Sequence, residues 1–566
     1  MKFDRAGRRC HANNIITMLL AGIYFSTLLS FSPPAHAQTS ILPGVYLPSS
    51  YGATCNGIAD DEPAFAAAVA AASGAGGGTV VIPPTGCRLA ESLIVPTGVT
   101  LQGFAFNPQN PALGSRFICD MTVTPCLQLG RDSKNDVVAA KGFSVTRVSG
   151  GAPPPGSVGV LVKDAYNILL EDVGSYLSAE GFYFKADTQY GISAIVSRIY
   201  GGNISDNYIV IDSWPELKIS DCRMGQNGGD SFASGNAMIK ITGGLPSSSP
   251  YSGIGPNTIT VDKCTFLNGS ASPGPAYGIS FENVVGGDVH AGGYKFTNNH
   301  FENIKTAYVS LDGASTPLRN LTMNGNTFNS VGPENFSISP YAVIENWQLI
   351  GNQFLGSSFY LNQTNAIINY LEISGNTIGG PAIIGGTAGS TANIHGNIFT
   401  GSLVVAGNWG ALSVDGADAI SSGTVTNNAS GNVSFSGPYN FPWTPSLTIN
   451  GSSSGISQVT SGTYTVSDKQ VTASFIITLT SVSGSGIVGM AGLPYAARST
   501  AITTGGGFFG FTANLLNAPQ TLGLSVNPGT TSLNFSQMTS SGVTSVSSAI
   551  LTNTTKLSGT IIYQLP

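Results

Sequence analysis

The feature that most constrains this chain is an eight-residue motif recurring through its middle. It consists of an apolar residue, a spacer, a second apolar residue, two small or polar residues, Asn or Cys, a spacer and often an aromatic. It reads LKISDCRM, ITVDKCTF, YKFTNNHF, LTMNGNTF, WQLIGNQF, LEISGNTI and ANIHGNIF, with Cys222, Cys264, Asn299, Asn326, Asn352, Asn376 and Asn397 at the sixth position. The last four steps are 27, 26, 24 and 21 residues, and the longer steps before them carry insertions such as GLPSSSPYSGIGP. A period in the twenties is that of a solenoid whose turns stack only on their neighbours. Apolar residues within each period alternate with the spacing of strands, not helices, and no leucine-rich consensus is present.

These constraints predict an all-β protein, a right-handed parallel β-helix with about three strands per coil. Asn suits the recurring turn because it tolerates left-handed backbone and its amide can bond the same Asn one coil away. Cys222 and Cys264 are expected to fill that stack as small apolar residues in preference to a disulfide. Composition agrees: 9% of residues are charged, 42% are hydrophobic and 73 are glycine, which favours extended sheet over disorder. A net charge of -6 gives no basis for a nucleic-acid partner.

The chain opens with Lys2, Arg5, Arg8 and Arg9, runs through IITMLLAGIYFSTLLSF and reaches SPPAHA. This is the pattern of a secretory signal peptide cleaved after Ala37, and no second long apolar run follows, so the expected product is secreted, extracellular or periplasmic, without a membrane span. Export permits disulfides, and Cys119 with Cys126 and Cys55 with Cys87 are the candidates. Zinc is a poor reading, since no CxxC pair exists and His290, His300 and His395 lie far apart.

A stack of coils ends in unpaired backbone that must be covered. ADDEPAFAAAVAAASG supplies the cover, a helix with an Asp N-cap, Pro in the first turn and Ser-Gly at its end. Phe65 and Val69, four apart, share its buried face. Asp60, Asp61 and Glu62 therefore read as helix punctuation, not as an active site. SGAGGG lacks the Gly-Lys-Ser/Thr ending of a phosphate loop and reads as a turn.

From Tyr51 to Phe106 the chain carries YGATCNGIADDEPAFAAAV, GGGTVVIPP and LIVPTGVTLQG, and this stretch resembles the N-terminal part of the pectate-lyase-like superfamily, which includes rhamnogalacturonase-like and epimerase-like proteins. The resemblance implies a parallel β-helix over residues 38–435 and a carbohydrate-related role, as hydrolase, lyase, epimerase or glycan binder. The polygalacturonase signature of N-T-D, D-D, G-H-G and R-I-K along one face is absent. Further on, after a linker at 436–445, WTPSLTINGS, SGTYTVSDKQVTASFIITLT, GLPYAA and LSGTIIYQLP resemble a module at the ends of phage tail fibres and tailspikes. That implies a small β-sandwich over 446–566 serving homotrimer assembly or glycan binding.

In a parallel β-helix, outward side chains on successive coils form columns about 5 Å apart, a strip suited to a linear polysaccharide. Aligning GVLVKD, GFYFKAD, YIVIDS, MIKITG, GISFEN, YVSLDG, AVIEN and FYLNQ gives one column of Lys163, Lys185, Asp212, Thr242, Glu282, Asp312, Glu345 and Asn362. Its neighbour holds Leu161, Tyr183, Val210, Lys240, Ser280, Ser310, Val343 and Tyr360. Four carboxylates in one column of so uncharged a chain point to acid/base chemistry. Hydrolysis needs two carboxyl groups, about 5 Å apart for retention or about 6.5–9.5 Å for inversion. Glu282 with Asp312 suits the first and Asp212 with Glu282 the second. A lyase would use Lys240 as base, with calcium held by Asp212 and Glu282. Lys185 is placed to bind an acidic sugar, and Tyr183 and Tyr360 to stack on sugar rings. Asp230 in NGGDSF reads as a turn residue, and His300 and His395 as surface residues away from the strip.

Overall fold

The computed structural model describes residues 44–131, 137–148, 151–187, 193–225, 236–244, 255–268, 276–284, 292–312, 317–330, 336–339, 342–356, 358–361, 366–415, 418–420, 425–436, 441–467, 470–499, 505–517, 519 and 521–565. The expected leader, Asp230, His290 and Asn362 lie outside these residues. No helix among the described residues is long and apolar enough to cross a membrane.

The motif does build coils. Pro215–Ser220, Arg223–Met224 and Ala237–Thr242 make one turn, and Asn257–Asp262, Thr265–Phe266 and Tyr277–Glu282 lie beneath them in parallel register. The same three faces continue through Gly292–Thr297, His300–Ile304 and Ala307–Asp312 and beyond. The protein is a parallel β-helix. The first and third motif residues point inward, so Leu217, Ile219, Ile259, Val261, Leu321, Met323, Leu371 and Ile373 are all buried. The aromatic at the eighth position stacks along the axis, with Phe266, Phe301, Phe328 and Phe354 spaced 4.9, 4.9 and 5.4 Å ring to ring.

The sixth-position asparagines form a hydrogen-bonded ladder in the core. The Nδ2 of Asn299 donates to Oδ1 of Asn326, Asn326 to Asn352, Asn352 to Asn376, and Asn376 to Asn397, each at 2.9–3.0 Å. Every one of those oxygens also accepts the preceding asparagine's backbone N–H, and the second amide proton goes to a main-chain carbonyl such as Phe296 or Met323. Both donors and both acceptor sites of Asn326, Asn352 and Asn376 are thus used. The left-handed backbone falls one residue earlier than expected, at the fifth position: Asp221, Lys263, Asn298, Gly325, Gly351, Gly375 and Gly396 all have positive φ. The sixth residue is selected by its amide, and the fifth by its φ.

Cys222 and Cys264 occupy the same stack, and the structure joins them in a disulfide, contrary to the expectation of apolar filler. One coil step brings their Cα atoms to 4.4 Å, within disulfide reach. Cys55–Cys87 and Cys119–Cys126 are the other two bridges.

The capping helix spans Glu62–Gly74, with Phe65, Ala68, Val69 and Ala72 buried and Phe65 edge-on to Phe117 at 5.0 Å. Asp61 stands at its N-cap but makes no side-chain cap bond. Its buried carboxylate instead accepts the backbone N–H groups of Thr54, Cys55 and Arg88, tying the preceding loop to a coil strand. Asp60 holds the N–H groups of Glu62 and Ala90. The acids of this stretch therefore secure the cap.

At the other end, ten strands form one antiparallel sheet around an inner face of Val471, Phe475, Ile477, Met490, Phe535 and Ile561, all buried. Its first strand, Phe441–Trp443, pairs with Ile456–Ser467, so the sheet begins inside the stretch expected to be a linker. Phe441 packs on Phe435 of the last coil at 4.8 Å between rings.

Replacing Asn352 by Ala would leave both the amide and the backbone N–H of Asn326 without their acceptor. At about 1–3 kcal/mol for each orphaned buried group, N352A is expected to lose on the order of 3–5 kcal/mol in guanidinium unfolding. A midpoint unchanged from the parent would remove the ladder as a source of stability.

Candidate functional site

One face of the helix carries the proposed columns. Lys163 pairs with Lys185, Lys185 with Asp212, Asp212 with Thr242, Thr242 with Glu282, and Glu282 with Asp312. Beside them run Leu161, Tyr183, Val210, Lys240, Ser280 and Ser310. Both columns then depart from the expected path. The strand following Ala307–Asp312 on this face is Phe336–Ile338, whereas Val343–Ile344 pairs with Ile367–Ile368 in a separate small sheet. Glu345 therefore lies off the strip, in an ion pair with Arg319 at 2.9 Å. Two short apolar runs, FSI and AVI, sit in one repeat, and alternation alone does not distinguish them. Tyr360 remains on the face, further along, paired with Ile383.

The carboxylates are held by different partners. Asp212 accepts the Tyr183 hydroxyl at 3.0 Å and the Ser213 hydroxyl at 2.9 Å, while burial pushes its pKa up and these bonds oppose the shift. Glu282 pairs with Lys240 at 2.5 Å and accepts the Ser280 hydroxyl at 3.0 Å. Two strand steps put the Asp212 and Glu282 backbones about 10 Å apart. Asp212 is engaged by Tyr183 and Ser213 and Glu282 by Lys240 and Ser280, so each carboxyl group has its own set of partners. Lys185 and Lys163 both reach Asp187, at 2.9 and 3.5 Å.

One residue of the face escaped the sequence reading. Glu180 lies three positions before Tyr183, where simple alternation turns it inward. Alternation breaks here: Gly181 and Phe182 are both buried and Glu180 reaches the surface layer, beside a one-residue slip whose extra residue lies on the partner strand between Ile204 and Asn207. Such a bulge re-aims side chains of the bulged strand, here Ile204 to Asn207. The only sequence signal of Glu180 is a charge at an inward position in a chain with few charges.

Both oxygens of the Glu180 carboxyl accept from the buried Asn207 amide, at 3.1 Å each. Burial raises its pKa to about 7, against the pull of Asn207, with Asp206 pushing up and Lys240 pulling down. Asp206 is in turn bonded by Asn236 at 3.3 Å. Glu180, Asp206, Tyr183, Asp212, Lys240 and Glu282 form one polar tract that includes a carboxyl group with its pKa raised to about 7 by burial. That group can give a proton to a leaving oxygen and take one back.

Calcium fits this tract poorly. Thr242 separates Asp212 from Glu282, the Lys240 ammonium occupies the Glu282 carboxylate, and protein hydroxyls already engage Asp212. The one cluster of three metal-capable residues among those described is Cys55, Asp61 and Cys87, whose sulfurs are in a disulfide. His395 sits on another face, bonded to Glu372 at 2.6 Å, and His300 is 3.5 Å from Glu302.

A raised carboxyl pKa costs stability. Between the ordinary value of 4.5 and about 7, the unfolded chain is ionised at Glu180 and the folded one is not, so stability falls as pH rises across that window and is flat above it. Glu180→Gln removes the effect. The variant is expected to gain on the order of 2–3 kcal/mol over the parent on going from pH 5 to pH 8, at about 1.4 kcal/mol per unit. Parallel unfolding curves at both pH values would contradict this.

No family model matches the chain, and no curated protein matches it. Among solved structures, the Dettilon tailspike protein is 12% identical over 92% of this chain and 94% of that one, with a TM-score of 0.44. A tailspike mutant of E. coli bacteriophage HK620, in complex with a pentasaccharide, is 11% identical over 92% of both chains, with a TM-score of 0.45. The catalytic unit of an alpha-1,3-glucanase from Streptomyces thermodiastaticus is 15% identical over 69% of both, with a TM-score of 0.36. Likenesses this distant say nothing of chemistry.

Proposed function

We infer that this is an exported protein that binds a polysaccharide along the strip and cleaves it by glycoside hydrolysis. The observation that carries the reading is Glu180, a carboxyl group whose pKa is raised to about 7, beside a second carboxylate, Asp206, and on the same face as Tyr183 and Lys240. Glu180 donates its proton to the glycosidic oxygen as the bond to the anomeric carbon breaks. Asp206 takes a proton from the water that attacks that carbon. Tyr183 offers a ring to the sugar, and the Lys240–Glu282 pair lines the floor. Lyase action with Lys240 as base is disfavoured, because its ammonium is held by Glu282 at 2.5 Å.

Purified protein incubated with a panel of neutral and acidic polysaccharides is expected to release reducing ends without products absorbing near 235 nm. Activity should fall as pH rises through about 7, the value at which Glu180 loses its proton. E180Q should reduce kcat by at least about 100-fold, the contribution of a general acid, with KM little changed. Binding without product from any member of the panel, or full activity in E180Q, would overturn the hydrolase reading.

The C-terminal sheet supports assembly into a homotrimer. Its outer face exposes Ile476, Phe508, Phe511 and Ile562 on three neighbouring strands, and such patches mark interaction surfaces. Light scattering is expected to give three times the chain mass, and F508S/F511S a smaller species. A monomeric parent would remove the assembly.

A further inference from the structure

A second hollow lies on a different face. The strands Phe106–Asn107 and Asn110–Gly114 form a hairpin standing over the strand pairs Gly174–Tyr200 and Tyr200–Arg223. Between hairpin and sheet is a cavity of about 450 Å³ lined by Asn107, Gln109, Tyr176, Tyr200, Gly201 and Arg223, among others. The hairpin is fixed from below. The buried Tyr176 donates its hydroxyl to the Pro108 carbonyl at 2.9 Å, and Phe106 meets Tyr200 at 77° with 5.5 Å between centroids. Phe106 can sit there because the position beneath it is Gly174: a Cβ on that residue would lie 2.9 Å from the Phe106 ring. The cavity is thus built into the fold and needs no ligand to form it.

Its chemistry is specific. Across the hairpin, the neighbouring hollow also touches Tyr200, but its charges are matched: Arg198 pairs with Glu171 at 2.6 Å and Asp172 at 2.8 Å, and Lys141 with Glu171 at 3.3 Å. Arg223 has no carboxylate partner among the described residues and lines the first cavity beside Tyr200. An aromatic surface, two side-chain amides and an uncompensated guanidinium match a sugar ring bearing a carboxylate. The ring packs on tyrosine, its hydroxyls meet the Asn107 and Gln109 amides, and the carboxylate takes the fork of the guanidinium. The volume suits one or two sugar rings and not a long chain.

We propose that this cavity is a second carbohydrate site, separate from the strip, that binds a hexuronate unit through Arg223 and Tyr200. It shares no residue with the Glu180 tract, so either assignment can fail alone.

Titration calorimetry of the full chain with methyl β-D-glucuronide and methyl β-D-glucoside tests it. The glucuronide is expected to bind at least tenfold more tightly, as one charge-assisted bidentate pair provides. R223M should abolish that preference, and Y200A should weaken both ligands, with heat unfolding confirming that each variant is folded. E180Q should leave glucuronide binding unchanged. Equal affinity for the two ligands in the parent, a preference surviving in R223M, or glucuronide binding lost in E180Q would each overturn the proposal.

Discussion

The structure depends on one constraint: each coil must present to the next a backbone and a core in the same register. Parallel strands supply the backbone bonds along the flat faces, but at the corner the chain turns and the strands stop. There the asparagine ladder takes over. Asn299, Asn326, Asn352, Asn376 and Asn397 keep the corner hydrogen-bonded from coil to coil, in a core otherwise stacked with phenylalanine and aliphatic side chains. Low dielectric strengthens such a network when every member is satisfied and penalises it heavily when one is not. Register on the corner fixes register on the faces, and that fixes which side chains share the strip.

Much of this was legible in the chain. The spacing of the motif revealed the solenoid, and alternation within it ordered the column from Lys163 to Asp312 as the strands pair. What was not legible has local physical causes. Glu345 was misplaced because two short apolar runs compete for one position in the repeat, and pairing, which decides between them, is not a property of either run. Glu180 was missed because alternation breaks within its own strand, where Gly181 and Phe182 are both buried. The turn was placed a residue late because Asn satisfies two different needs, a positive φ and a buried amide, which here fall on adjacent positions.

The candidate site shows the same tension between local rule and function. Burying Glu180 against Asn207 near Asp206 raises its pKa to about 7 and costs folding stability at neutral pH. An uncharged side chain there would avoid that penalty. Local violations of this kind concentrate where a protein does chemistry. Asp212 is likewise pushed up by burial, with two hydroxyls opposing the shift, whereas Glu282 is paired with Lys240.

The asparagine ladder also has a direction. Each amide hands its proton toward the C-terminus, and the run ends on Asp418, whose carboxylate accepts from the backbone and amide of Asn397 at 2.7 and 2.9 Å. At the other end, the Oδ1 of Asn299 accepts the backbone N–H of Cys264 at 2.9 Å, so the first rung needs no amide above it. Only the two ends therefore demand special residues, while every interior rung is interchangeable with its neighbours. A whole coil can be duplicated or deleted between Asn326 and Asn376 without leaving any ladder group unmatched, so the length of the helix is free to change in steps of one turn.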